Sequence, residues 1–194
     1  NCTFDGLIYN VKRIMQQCLA IKPDLVFLWD EAWFAFARFD PTYRQRTGMH
    51  SAQRLRDRYR SKSYRKKYLE HLEEIKTIDP KDIDTLSKTH LLPDPDLVRV
   101  RVYSTQSTHK LLAGLSQASQ ILVQEPQNSH FDMHRFNESF LMHTSTSPQY
   151  SIIASCDVAA SMMEQPAGRA LVDESLHEAL NFRKAMRKVD DEFG

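Results

Sequence analysis

The sequence predicts an α/β fold, and three observations lead there. "LVFLW" (25–29) is an unbroken apolar run rich in β formers, of the kind that forms a strand buried on both faces. "LVRVRVYS" (97–104) alternates apolar and polar residues, the period of a strand with one apolar face. Helical spacing precedes the first run and dominates the last third of the chain. Among the 194 residues, 41% are hydrophobic and 26% charged, as expected for a globular unit of one or two domains. A net charge of +1 does not call for a polyanionic partner.

The elements follow in order. Residues 6–19 place Leu7, Ile8, Val11, Ile14, Met15, Cys18 and Leu19 at helical spacing. A connector around Pro23 leads into the strand at 25–29, which runs into Asp30. Ligand groups in open α/β sheets gather at the carboxyl ends of strands, where Asp30 is expected. Residues 34–50 lack a clear period and read as a long loop punctuated by Pro41 and Gly48. Residues 54–78 are highly charged, basic first and acidic later, and read as one helix. The whole of 51–96, broken later by prolines, reads as a solvated, charged helical insertion. Its basic part would suit nucleic acid, but a charged exposed helix is preferred: acidic residues follow and no base-stacking pattern accompanies it. After the strand near 98–103 comes a polar turn containing Lys110, then a short strand at 120–124. Helices are expected at 132–143, at 150–165 (nearly apolar, hence buried) and from about 169 to 189. No apolar run approaches the roughly 20 residues that span a bilayer.

Cys2, Cys18 and Cys156 are odd in number and scattered, with no CxxC pair and no metal-ligand spacing. Together with the lack of a basic-then-apolar leader, this favours the reducing cytoplasm. The chain opens on "NCTFDGLIYN" without methionine, as a fragment of a longer protein would.

The chemistry centres on Lys110, which stands between Ser107, Thr108 and His109 on one side and an apolar run on the other. A partly desolvated lysine amine attacks carbonyls, including that of pyridoxal phosphate. That cofactor also needs a carboxylate at its ring nitrogen and donors around its phosphate. Asp30 is a candidate for the first; Ser107 and the hydroxyl cluster Thr144, Ser145 and Thr146 are candidates for the second. Each has an ordinary structural reading too. A lysine after Ser-Thr-His suits a surface helix cap, an aspartate at a strand end suits a turn, and "TSTSP" suits an N-cap.

Three stretches weigh in favour of the cofactor. "WDEAW", "STQSTHKLLAGLSQAS" and "FNESFLMHTSTSPQYSIIASCDVAASMM", with "NCTFDGLIYN" ahead of them, resemble the pyridoxal-phosphate-dependent ornithine/lysine/arginine decarboxylases over about 1–50 and 98–190. The resemblance implies part of a fold-type-I major domain, a mostly parallel sheet flanked by helices. It implies that Lys110 is the Schiff-base lysine and Asp30 the carboxylate on the pyridinium nitrogen. Ser107 and His109 would lie beside phosphate and lysine. Ser145, or else Thr144 or Thr146, would reach the phosphate of a neighbouring subunit. Trp33 would pack near the cofactor, although plain core packing explains it equally well. The implied reaction is decarboxylation of a basic amino acid to a diamine or polyamine precursor and carbon dioxide, with Lys110 or His109 returning a proton. The implied assembly is a cytoplasmic homo-oligomer, at least a dimer, with no nucleic acid, membrane or metal partner.

Two departures stand against the pattern. The stretch between Asp30 and Lys110 is longer than usual for the family, and 51–96 accounts for the excess. With 5 glycines, no phosphate-binding turn is evident, so the fragment alone is expected to be inactive. Two alternatives remain: another fold-type-I enzyme such as an aminotransferase, or a non-catalytic decarboxylase-like binding protein. Retention of Asp30, Ser107, His109 and Lys110 together weighs against the second.

Overall fold

The computed structural model describes residues 1–126, 129 and 131–193. Helix α1 (Val11–Ile21) starts at Asn10, whose side chain accepts the Arg13 N–H and so caps the first turn. The cap sets the start later than apolar spacing alone predicts. Val11, Met15 and Leu19 recur every four residues and form a fully buried stripe.

That stripe faces a three-stranded sheet of order β1-β2-β3, built from β1 (Val26–Asp30), β2 (Arg101–Ser107) and β3 (Ser119–Gln124). β1 and β2 are parallel, with Asp30 opposite Thr105; β2 and β3 are antiparallel, with Ser107 opposite Ser119. The described sheet is therefore mixed, one pair of each kind. The connection between β2 and β3, residues 108–118, is shorter than the dozen or so that a parallel crossover needs.

Burial of β1 on both faces is corrected. Phe27 is buried in the core, but Val26 and Leu28 are exposed, because β1 is an edge strand and no described element covers its outer face.

The expected loop at 34–50 is largely ordered. A 3₁₀ turn occupies Ala35–Phe39, and Asp40 then caps α2 (Pro41–Arg44) by accepting the Thr42 and Tyr43 N–H groups. Both pieces are too short to show a period. The single helix expected at 54–78 is two, α3 (Gly48–Arg60) and α4 (Lys62–Lys76). Ser61 divides them: its hydroxyl donates to the Arg58 carbonyl and accepts the Tyr64 N–H.

Nor is this region wholly solvated. Ala52, Leu55 and Tyr59 of α3 join Val11, Met15, Leu19, Phe27, Val100 and Val102 in one core. Tyr64 donates from its hydroxyl to the Pro93 carbonyl at 2.8 Å and so ties the returning chain to α4. Burial pushes that phenol up to about 12. From α4, where Tyr64 is the one buried residue, through α5 (Ile83–Lys88), the segment is mostly exposed.

The polar turn expected after Tyr103 is instead strand. Val100, Val102, Ser104, Gln106 and Thr108 all point inward and are buried. Helix α6 (Thr108–Leu111) follows at once and carries Lys110. The last three helices, α7 (Met133–His143), α8 (Tyr150–Met162) and α9 (Ala167–Phe193), match the sequence pattern. α8 is not buried as expected: Ala159 is its one buried residue, and Ile153 and Val158 are exposed because no described element packs on them.

Two outcomes follow. Leu55→Ala removes a fully buried side chain from the core and is expected to cost about 2–5 kcal/mol, read as a lower urea midpoint. Burial, and then the charges of Arg44, Arg54, Arg38 and Lys12, hold the His50 imidazole below its ordinary range. The unfolded chain therefore binds the His50 proton more readily, and stability is lost as pH falls below about 6.5. Urea titrations at several pH values should show this limb flattened in His50→Gln.

Candidate active site at the carboxyl end of the sheet

Asp30 ends β1, and Lys110 lies on the first turn after β2. The two strands are parallel neighbours, so both residues emerge at one end of the sheet. Asp30 shares the outer face with Thr105, its register partner, and with Ser107 two residues further on. One Asp30 carboxylate oxygen accepts the Ala32 N–H at 2.9 Å, which closes a turn; its other oxygen has no hydrogen-bond partner among the described residues.

Trp33 leaves this turn and meets Lys110, whose Nζ stands 4.7 Å from the indole ring centroid. The ring face attracts the ammonium, a contact worth about 0.5–1 kcal/mol when exposed and more when desolvated. Trp33 is held in turn by Phe4, edge-on at 5.4 Å. His109 places Nδ1 2.8 Å from the Ala118 carbonyl oxygen, which also accepts the His109 backbone N–H. A carbonyl only accepts, so Nδ1 carries the proton in the neutral ring and Nε2 is the free basic nitrogen.

The structure thus brings Asp30, Trp33, Ser107, His109 and Lys110 to one end of the sheet. Thr144 and Ser145 lie apart on the exposed loop after α7, where Ser145 Oγ accepts the Ser147 N–H at 3.2 Å. No hydrogen bond links them to the other candidates among the described residues. Two cavities beside α8, of about 260 and 490 Å3, are lined by residues such as Gln106, Leu112 and Met163 and by none of the candidates. Among the described residues, no three His, Cys, Asp or Glu side chains converge to hold a metal ion.

Sequence reasoning missed the group beneath this site. Glu31 is fully buried. Its Oε1 accepts the Gly48 N–H at 2.6 Å and the Asn1 side-chain amide at 2.9 Å. Its Oε2 accepts the Ser104 hydroxyl at 2.7 Å and the Gln106 amide at 3.2 Å. A signal existed: Ser104 and Gln106 are polar at the inward positions of a strand whose earlier inward positions are valines. Gly48 is required for the approach, since a Cβ there would stand 2.8 Å from Trp29 Cδ1.

Comparison with known proteins gives a consistent result. The family described as "Orn/Lys/Arg decarboxylase, major domain" matches residues 85–193. The chain is 40% identical to the lysine decarboxylase LdcA of Pseudomonas aeruginosa over 97% of its own length, and 36% identical to the biodegradative arginine decarboxylase of Escherichia coli over 100%. It spans about a fifth of the length of either relative. The solved structure of lysine decarboxylase A from P. aeruginosa superposes with a TM-score of 0.66 at 37% identity, covering 100% of this chain and 20% of that one. The lysine decarboxylase LdcF of Francisella novicida gives 0.65 at 29% identity, with the same coverage.

Gly48→Ala tests the close approach. Overlap with Trp29 is expected to lower stability by about 1–3 kcal/mol, measured as a shift in the denaturation midpoint.

Proposed function

The chain belongs to the Orn/Lys/Arg decarboxylase family, and on that premise we propose that it is the part of a pyridoxal-phosphate-dependent decarboxylase that supplies the covalent lysine and the pyridinium-binding carboxylate. The observation that carries this reading is the placement of Asp30 and Lys110 at the carboxyl ends of two adjacent parallel strands.

The donor set fits the cofactor. Lys110 is a primary amine for its aldehyde, Asp30 has a free carboxylate oxygen for its ring nitrogen, and Ser107 and His109 stand beside them. When bound, pyridoxal phosphate supplies an electron-withdrawing ring that accepts the electron pair left when carbon dioxide departs. Asp30 holds the ring-nitrogen proton in place as the paired anion. Trp33 keeps the Lys110 head group next to the turn that carries Asp30. Lys110 Nζ and His109 Nε2 are the groups available to return a proton to the substrate carbon, so the reaction consumes one proton and releases carbon dioxide.

The substrate class is an amino acid with a cationic side chain: lysine, arginine or ornithine. In this reading the 194 residues lie within the cofactor-binding major domain, with 51–96 as a charged helical insertion within it. The enzyme is a cytoplasmic homo-oligomer in which Ser145 or Thr144 serves the phosphate of a neighbouring subunit's site. Their exposed loop leaves those hydroxyls accessible to a second subunit. No helix among the described residues is long and apolar enough to cross a membrane.

The test uses the full-length protein, incubated with pyridoxal phosphate, reduced with borohydride and mapped by mass spectrometry. A pyridoxyl label on Lys110, absent in Lys110→Ala, is the expected result; a folded wild-type protein without label would overturn the reading. Carbon dioxide release without keto-acid formation separates decarboxylation from transamination. Asp30→Ala is expected to retain Lys110 labelling while lowering carbon dioxide release by about 100-fold or more, because the ring nitrogen loses its paired anion.

A further inference from the structure

We infer that Glu31 is a positioning residue for the site: its buried carboxylate fixes the turn that carries Asp30 and Trp33. The inference rests on the cofactor reading above.

The geometry is as follows. Glu31 lies between Asp30 and the turn to Trp33, and its backbone is held on both sides. Its N–H donates to the Thr105 carbonyl at 2.8 Å, which extends the β1–β2 ladder one residue beyond Asp30. Its carbonyl accepts the Phe34 N–H at 2.8 Å, which closes the turn around Trp33. The side chain then anchors this turn to three separate parts of the chain. Gly48 brings in the start of α3, Ser104 and Gln106 bring in β2, and Asn1 brings in the N-terminal segment.

Asp30 itself has little else to hold it. Its side chain is exposed, and one local bond to Ala32 orients it. A carboxylate that must meet a ring nitrogen within hydrogen-bond distance needs a fixed backbone beneath it, because an error of about 1 Å costs about 100-fold in rate. Glu31 supplies that fixity from the side facing away from the ligand. It touches none of the reacting groups and acts through Asp30 and Trp33.

The replacement chemistry separates position from charge. In Glu31→Gln the amide oxygen can still accept from Gly48 and Asn1. The amide NH2 then faces Ser104 and Gln106, whose side chains can rotate to present acceptors. Glu31→Ala leaves all four donors without their partner.

The experiment takes the full-length protein loaded with pyridoxal phosphate and compares wild type, Glu31→Ala and Glu31→Gln. Thermal unfolding of each without cofactor establishes that it is folded. The absorbance of the bound cofactor is then followed against pH, alongside kcat and KM. Glu31→Ala is expected to lower kcat by about 10- to 100-fold with KM nearly unchanged. Its ring nitrogen should lose its proton at lower pH than in wild type, since Asp30 no longer sits against it. Glu31→Gln is expected to restore both readouts toward wild type.

A folded Glu31→Ala with a wild-type pH profile and kcat would overturn the inference, and so would a Glu31→Gln that restores neither. Should Glu31→Ala not fold, Ser104→Ala removes a single donor and is expected to move the pH profile in the same direction by less; an unmoved profile would overturn the inference. Wild-type protein that takes up no pyridoxal phosphate would instead overturn the proposed function, and this inference with it.

Discussion

A carboxylate cannot be taken out of water without donors to replace the water it loses, and Glu31 is taken out of water completely. Four donors surround it, one of them a backbone N–H and three of them side chains. They come from segments far apart in sequence, so the charge can be satisfied only when those segments have converged. α3, β2 and the N-terminal stretch are in that sense all arranged around one anion. The position of Gly48 follows, because only a residue without a side chain brings its N–H to Glu31 while passing Trp29.

This requirement divides the inner face of β2 into two regions. Near its start, Val100 and Val102 join Phe27, Leu55 and the α1 stripe in an apolar core. Further along, Ser104, Gln106 and Thr108 replace the valines at the same inward positions. The apolar half holds the strands against the helices. The polar half ends at the edge where Asp30 and Lys110 emerge. The outer face carries Asp30, Thr105 and Ser107 in register and is open above β1. A ligand approaching from that side meets a carboxylate with one free oxygen and an amine resting on an indole.

The charged region after residue 50 also divides by function in the fold. α3 places Arg54 and Arg60 toward water while Ala52, Leu55 and Tyr59 complete the core. Arg56 reaches back to donate to the Val100 carbonyl at 2.8 Å, so part of this basic tract is structural cement for the edge of β2. The basic tract spans two helices, α3 and α4, each with its buried residues on one face.

The local patterns were legible in the sequence. Helical spacing located α1, α7, α8 and α9, the apolar run located β1, and the motifs around Asp30 and Lys110 marked the candidate site, because each of these signals lies within a few neighbouring residues. What the sequence did not show depends on contacts between distant segments. Ser104 and Gln106 read as a turn, since polar residues at strand positions make sense only once a buried carboxylate faces them. Glu31 itself passed unnoticed beside Asp30 for the same reason. The exposure of α8 was misread because an apolar helix does not specify what will cover it. By itself, the sequence singled out Asp30 and Lys110 as candidates for the chemistry. Tertiary structure alone decided that Asp30 and Lys110 share one end of a sheet, because that depends on parallel pairing between strands separated by most of the intervening chain.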